Sequence, residues 1–487
     1  MRNKKIKLSI ILCIMFAWSA WFAVNLFAEP TNYTYNYDYW NEQVESPDAY
    51  RVSAYLLGSQ FGIGNFVDPQ GLFVRDNRIY ICDSGNNRIV VFSTDNRGNY
   101  AVSEIIDHLV INGAEETFNY PSDIYETLSG HLYICDTNNN RVLHIDAQGN
   151  YLDMITKPVD QSIDAGFVFL PVKAVVDSAN RIYIQAKNVN KGLMEFDNRG
   201  EFIGYMGANR VQVKIVDYIW KLLSSQAQRA QMDLFVPTEY NNLALDNEGF
   251  IYVTNSTGQT YAVRRLNPMG QDILLRNGYK DPVGDVVFGN AGGIQGPSKF
   301  IDVTALANES YACFDRTRGR IFVYDFQGNL LYAFGGVGNR EGYFMLPVAL
   351  DSMGDSLFAL DSRTATLTRF DLTEYGLLVR DALNEYKLGR YEESAAIWQE
   401  VLKRNGNYDM AYIGIGRAAL RQGKYEEAME YYRLKYYDEG YGKAFQYYRK
   451  EWVEANLWWM MLVIVLLIIG PWAVKTIIRV RKEIIEA

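Results

Sequence analysis

ICDSGNNRIVVF (81–92), ICDTNNNRVLHI (134–145) and CFDRTRGRIFVY (313–324) share one design. A short apolar run ends on an Asp, a polar loop follows, and an Arg five positions after the Asp opens a second apolar run. Apolar runs of this length, separated by Asn, Gly, Ser and Asp, read as paired β-strands. Weaker copies are IQAKNVNKGLMEF (184–196), VTNSTGQTYAVRRL (253–266) and ALDSRTATLTRF (359–370).

Working outward, each copy follows a proline and a further apolar run: Pro69, Pro121, Pro171, Pro237, Pro297 and Pro347. Six such units, each rich in strand signals and turns, predict the blades of a β-propeller. The pattern P-x-x-[IL] followed by IYICDSGNNRIVVF resembles the NHL repeat, a family of six-bladed propellers. The sixth unit lacks an outer strand before the chain turns helical near residue 373. AYLLGSQFGIGNFVDP (54–69) is similar to LYAFGGVGNREGYFMLP (331–347), which leads out of the fifth unit. Residues 50–57 are therefore expected to supply the missing strand and close the ring, leaving no open edge. Strand parity then puts the Asp/Asn–Arg loops on one face and both chain ends on the other.

Two segments interrupt the repeat. The stretch 208–235 carries a helical apolar pattern through Ile215, Ile219, Leu222, Leu223, Ala227 and Ala230. It reads either as a helix packed on the flank of blades three and four or as a lid over the distal opening. The leader 29–49 contains NYTYNYDYW (32–40), either a strand laid on the lower face of the ring or a tether.

From residue 375 the period changes from 2 to 3.6. GRYEESAAIWQEVL (389–402) and GKYEEAMEYYRLKY (423–436) repeat at a spacing of 34 residues. They resemble the tetratricopeptide repeat, with small residues such as Gly416 and Ala428 where helices cross. Tyr386, Trp398, Tyr412 and Tyr432 are the candidate lining of a partner groove, with core packing as the competing reading. A third helix over about 441–456 is expected to run on into the apolar segment that follows.

Residues 457–474, LWWMMLVIVLLIIGPWAV, carry no charge and are long enough for a transmembrane helix. Trp452, Trp458 and Trp459 at one end and Trp472 at the other suit the interfacial belts, and Lys475, Arg479, Arg481 and Lys482 place the tail 475–487 in the cytoplasm. Residues 1–28 open with Arg2, Lys4, Lys5 and Lys7 before an apolar run, the pattern of a signal peptide or signal anchor. Both ends agree on one topology, with residues 29–456 on the extracytoplasmic side. The architecture looks bacterial.

Composition excludes several classes. Setting aside 1–28 and 475–487, the body holds 40 basic and 55 acidic residues, a balance of −15. Such a body is a poor partner for nucleic acid, whose affinity rests on neutralising phosphates. Four Cys in 487 residues form no disulfide framework. Cys82 and Cys135 occupy equivalent strand positions and read as small buried hydrophobes. The three histidines, His108, His131 and His144, lack metal-ligand spacing, unlike the zinc-dependent propeller lyase of peptide amidation. No P-loop, dinucleotide fingerprint, Gly-x-Ser-x-Gly or His-Glu-x-x-His occurs.

The expected fold is mainly β: residues 50–373 as a six-bladed propeller closed by an N-terminal strand. A small helical-repeat module (374–456) and the membrane helix follow. The candidate distal-face residues are Asp83, Asn87, Arg88, Asp136, Asn140, Arg141, Asn255, Asp315, Arg320 and Asp361. Their structural reading is that each Asp caps its turn and pairs with the Arg five positions on. The expected function is a membrane-anchored binding or scaffold protein without cofactor, presenting the propeller to a ligand or another envelope protein. Similar chains point loosely to an accessory of a solute uptake system. The alternative is a Ca²⁺-dependent hydrolase of the propeller lactonase type, with Ca²⁺ held by acidic residues around the ring.

Overall fold

The computed structural model describes residues 34–40, 42–95, 98–208, 238–255, 261–278, 280–286 and 296–486. The segment 1–28 and almost all of the 208–235 insertion lie outside the described residues. The chain divides into two compact units. One comprises the residues up to Tyr37 with Gln43–Leu377, the other Asp38–Glu42 with the residues from Leu378 onward.

The first unit is a six-bladed propeller. The inner strands of blades 1 to 6 are Gly71–Arg75, Pro121–Glu126, Pro171–Val176, Tyr240–Leu245, Phe300–Ala305 and Pro347–Met353. Each blade continues outward as an antiparallel meander. Every sheet packs between two neighbours, so both faces of its strands must be apolar. In blade 1, Ile79, Ile81, Val90 and Phe92 pack toward blade 6 against Phe358, Leu360 and Leu367. The alternate positions Tyr80, Cys82, Ile89 and Val91 pack toward blade 2 against Ile124, Ile134 and Leu143. That double demand produces the runs of consecutive apolar residues noted above.

Closure follows the expectation. Strand Tyr50–Leu57 pairs antiparallel with Thr366–Leu372 of blade 6, from Thr366 opposite Leu57 to Leu372 opposite Tyr50. Two features depart from a plain ring. Among the described residues blade 4 has three strands, ending at Val263–Leu266. Beyond its turn Asp272 bridges back to Leu266 and the Ile273 amide donates to the Arg265 carbonyl, while the Asp272 carboxylate captures the Arg265 and Leu274 amides and the Arg276 guanidinium. The Tyr-rich leader is a strand, but not one laid on a face of the ring. Tyr35–Tyr37 and Gln43–Glu45 form a hairpin that extends the outer edge of blade 5, with Tyr35 opposite Ala333.

Inner strands are tied blade to blade by polar side chains. Asp123 Oδ2 accepts the Ala174 amide of blade 3 at 3.1 Å, and Asp302 Oδ2 accepts Leu350 of blade 6 at 2.8 Å. Asp351 Oδ2 accepts Val74 of blade 1 at 2.7 Å, across the closure seam.

The second unit holds helices α1 (Glu374–Lys387, which begins at the end of the first unit), α2 (Tyr391–Arg404), α3 (Asp409–Arg421), α4 (Tyr425–Leu434) and α5 (Asp438–Glu486). Positive φ at Gly389 and Gly423 turns the chain between the helices of each pair. Trp398 and Tyr432 fill the space left by Gly414 and Gly416 of α3. A Cβ there would lie 2.3 Å from Trp398 Nε1 and 2.6 Å from Tyr432 Cε1. The leader turn belongs to this unit, where the Tyr39 ring lies 5.4 Å from that of Tyr436. α5 runs unbroken for 49 residues, through Pro471, joining the expected third helix to the apolar segment. It is the one described helix long and apolar enough to cross a membrane, with mean hydropathy 2.4 over its most apolar window, none of it buried.

Candidate functional site

The loop aspartates come first, because the repeat is built on them. Asp83, Asp136, Asp315 and Asp361 are fully buried. Each carboxylate reaches back to the link that enters its own blade: Asp83 to the Val67 amide at 2.7 Å, Asp136 to Asn119 at 2.8 Å. Asp315 accepts Lys299 at 2.8 Å, and Asp361 accepts Leu346 at 2.8 Å. In blades 1 and 2 the second oxygen takes the expected guanidinium, Arg88 Nε at 2.7 Å and Arg141 Nε at 2.9 Å.

Blade 5 breaks the pattern. Asp315 spends its oxygens on Ser298, Lys299 and Thr317, so Arg320 turns to Asp285 at 2.7 Å and to the Tyr35 hydroxyl. Asn255 is buried and donates to the Tyr261 carbonyl at 2.6 Å. Asn87 and Asn140 are exposed and take positive φ, closing their loops. Asn87 also accepts the Tyr120 amide of the next link. The four aspartates, Asn87, Asn255, Arg88, Arg141 and Arg320 thus make bonds within the propeller.

The candidate groove of the helical module is corrected in part. Trp398 and Tyr432 are only 1% exposed and belong to the core. Tyr386 and Tyr412 stay half-buried, and Tyr412 donates to the Gly406 carbonyl at 3.1 Å.

The enclosed space lies on the propeller axis instead. A cavity of about 410 Å³ is walled by the inner strands of all six blades. Asn247, Ala307, Gly354 and Asp355, from turns joining inner and second strands, line its mouth. It therefore opens on the face opposite the Asp–Arg loops, the face where the chain enters and leaves the ring. Phe73 and Tyr125 supply aromatic wall, with the Arg75 guanidinium 5.4 and 5.6 Å from their ring centroids.

Lys173, Asp123 and Asp351 line the cavity, and Asp302 stands behind Lys173. Lys173 Nζ of blade 3 lies 3.4 Å from Asp302 of blade 5, with Asp123 of blade 2 and Asp351 of blade 6 close enough to act on its charge. Lys173 lines the channel and keeps 16% of its side chain accessible. Burial works against its ammonium, and the three carboxylates outweigh that, holding its pKa above the ordinary value. Burial pushes Asp123 up to about 7 against Lys173 and the Ala174 amide, with Asp302 adding to the rise. Burial likewise lifts Asp351 to about 6, opposed by the Ser352 and Val74 amides. Three acids and one ammonium thus gather beside a partly apolar channel.

Sequence reading missed this cluster. Its trace is a charged residue inside an apolar inner strand, two to five positions after a recurring proline: Asp123, Lys173, Asp302 and Asp351. Ca²⁺ does not fit here. Lys173 sits among the axial carboxylates, and among the described residues no group of three or more His, Cys, Asp and Glu side chains is placed to hold a metal ion. The cysteines Cys82, Cys135 and Cys313 are free and buried, and burial raises each thiol well above its usual pKa.

Comparison with known proteins agrees with the repeat reading. Residues 66–92 match the NHL repeat family and residues 380–437 the tetratricopeptide repeat family. A probable peptidyl-alpha-hydroxyglycine alpha-amidating lyase of Caenorhabditis elegans is 25% identical over 127 residues, 26% of this chain. The match spans about a third of that relative's length, 36%. Among solved structures, virginiamycin B lyase from Staphylococcus aureus aligns at TM-score 0.40 and 12% identity, over 66% of this chain and 100% of the other. A Bacteroides thetaiotaomicron protein of unknown function aligns at TM-score 0.41 and 11% identity, over 63% and 70%.

Proposed function

We propose that this chain is a membrane-tethered binding protein whose propeller takes a small polar ligand in its axial cavity. The observation that carries the reading is the grouping of Lys173, Asp123 and Asp351, with Asp302 behind Lys173, on the wall of an axial channel that also has aromatic lining. Lys173 pairs with Asp302, Asp123 and Asp351 accept backbone amides of the next blade, and Thr304 donates to Asp351, so the polar groups are held in fixed positions, which suits recognition of a ligand.

In this reading the α5 helix anchors the chain, residues 29–456 stand on the extracytoplasmic side, and the basic tail is cytoplasmic. The helical repeats contact another envelope or membrane protein, and the whole serves a solute uptake system as an accessory. The test is calorimetric titration of the full-length protein in detergent micelles with amino acids, amines, sugars and sugar acids. We expect a saturable ligand whose affinity falls at least about tenfold, near 1.4 kcal/mol, in Lys173→Met and Asp351→Asn. Equal binding by wild type and both variants would remove the axial site from the function.

A further inference from the structure

The axial cavity is built in storeys, and the register of the inner strands counts them. Each of blades 2 to 6 opens its inner strand with a register shift, after which Asp123, Lys173, Asn242, Asp302 and Ala349 hold equivalent positions. Two residues further on stand Tyr125, Val175, Ala244, Thr304 and Asp351. Blade 1 is placed by the amide ties. Asp302 reaches Leu350, the residue after Ala349, and Asp123 reaches Ala174, the residue after Lys173. Asp351 reaches Val74, so it stands level with Phe73. All six residues of this upper storey line the cavity.

Their order around the axis divides the storey into three sectors. Blades 1 and 2 give the aromatic pair Phe73 and Tyr125, blades 3 and 4 the aliphatic pair Val175 and Ala244, and blades 5 and 6 the polar pair Thr304 and Asp351. Two residues nearer the mouth than Phe73, the Arg75 guanidinium lies over both aromatic rings. Lys173, on the storey below, is paired with Asp302. Among the described residues neither Asp351 nor Arg75 has an opposite charge within ion-pair distance. Asp351 accepts the Val74 and Ser352 amides and the Thr304 hydroxyl, all uncharged. Both charges act on the Tyr125 phenol, which places them around the same part of the wall.

We propose that the axial ligand is a zwitterion with an apolar side chain, an α-amino acid or a compound of that shape, its ammonium on Asp351 and its carboxylate on Arg75. The inference rests on the axial-site reading above and adds the class of solute. An ammonium beside Asp351 and Thr304 gains a charge-assisted bond and faces the aromatic sector. The planar fork of Arg75 matches a carboxylate. The apolar side chain then meets Val175 and Ala244, and a cavity of about 410 Å³ has room for it. A neutral sugar would leave both charges unanswered. Without Lys173 the acids of the lower storey would draw the ammonium down and away from Arg75, so affinity depends on Lys173 as well.

The experiment is calorimetric titration of the full-length protein in detergent micelles at about pH 8, where Asp351, with its pKa of about 6, is ionised. The probes are leucine, isoamylamine, which lacks the carboxylate, 4-methylpentanoate, which lacks the amine, and glucose. We expect leucine to bind at least about tenfold tighter than either analogue. Arg75→Gln should bring leucine down to the level of isoamylamine and leave isoamylamine unchanged. Asp351→Asn should weaken leucine and isoamylamine at least about tenfold and spare 4-methylpentanoate. Arg75 ends its strand and is half-buried, so its variant remains informative if Asp351→Asn, which loosens the closure seam, does not fold. No leucine binding, leucine binding no tighter than either analogue, or glucose bound in its place overturns the proposal. Any probe whose binding still depends on Asp351 then keeps the axial reading. Leucine binding that survives both Arg75→Gln and Asp351→Asn overturns the proposal and the axial reading together.

Discussion

The Tyr35 hydroxyl donates to Asp285 Oδ1 at 3.0 Å, joining positions 250 residues apart. Arg320 donates to both partners, at 2.9 and 2.7 Å, and Tyr37 also donates to Asp285. Burial, and then the Asp285 charge, raise the Tyr35 phenol well above its ordinary pKa, so it remains a donor at any physiological pH. Tyr35→Phe is expected to cost about 1–2 kcal/mol. Asp285→Ala, which leaves the buried Arg320 charge without its carboxylate, is expected to cost about 3–5 kcal/mol. Urea unfolding followed by Trp and Tyr fluorescence measures both.

The buried axial acids give stability a pH slope. Asp123 and Asp351 have folded pKa values of about 7 and about 6, above their unfolded values. At these two positions the folded chain therefore binds more protons than the unfolded chain between about pH 4 and 7. Their contribution is complete below the unfolded carboxylate pKa and is lost as pH rises through the folded ones. Asp123→Asn and Asp351→Asn should each flatten the dependence of Tm on pH over this window. A wild-type slope kept in both variants would refute the assignment.

If the loop aspartates are structural ties, their loss should act on stability and not on ligand affinity. Asp83→Ala strands the Val67 amide and the Arg88 guanidinium and is expected to cost about 2–3 kcal/mol. Calorimetry of the folded variant should give wild-type affinity for any ligand of the axial cavity.

The helical module offers a packing test with an internal control. Gly416→Ala drives a methyl into the Tyr432 ring and should cost about 1–3 kcal/mol. Gly442→Ala in α5 meets nothing within 4 Å and should stabilise that helix by about 0.5–1 kcal/mol. Circular dichroism melts separate the two.

Much of this architecture was legible in the residues. The Asp–Arg spacing of 83/88 and 136/141 fixed the repeat, and the similarity of 54–69 to 331–347 gave the closing strand. Both are local signals with one geometric meaning. Arg320 was misread because its choice depends on Asp285, 35 positions upstream in an irregular link. Trp398 and Tyr432 look like groove residues in one dimension. Only the bare surface of Gly414 and Gly416 shows them to be knobs in holes. The axial cluster stayed hidden because its members come from four blades, and no single strand records their convergence.

The bond between first and last strands also orders events in time. Ser53 and Arg369 meet across 316 positions, so the chain carries the strand Tyr50–Leu57 without a mate through the synthesis of five blades. Loops that long close slowly, and an unmated edge invites wrong neighbours. The ring is therefore a clasp that snaps shut last, and a chaperone guarding the early strand would act before blade 6 emerges.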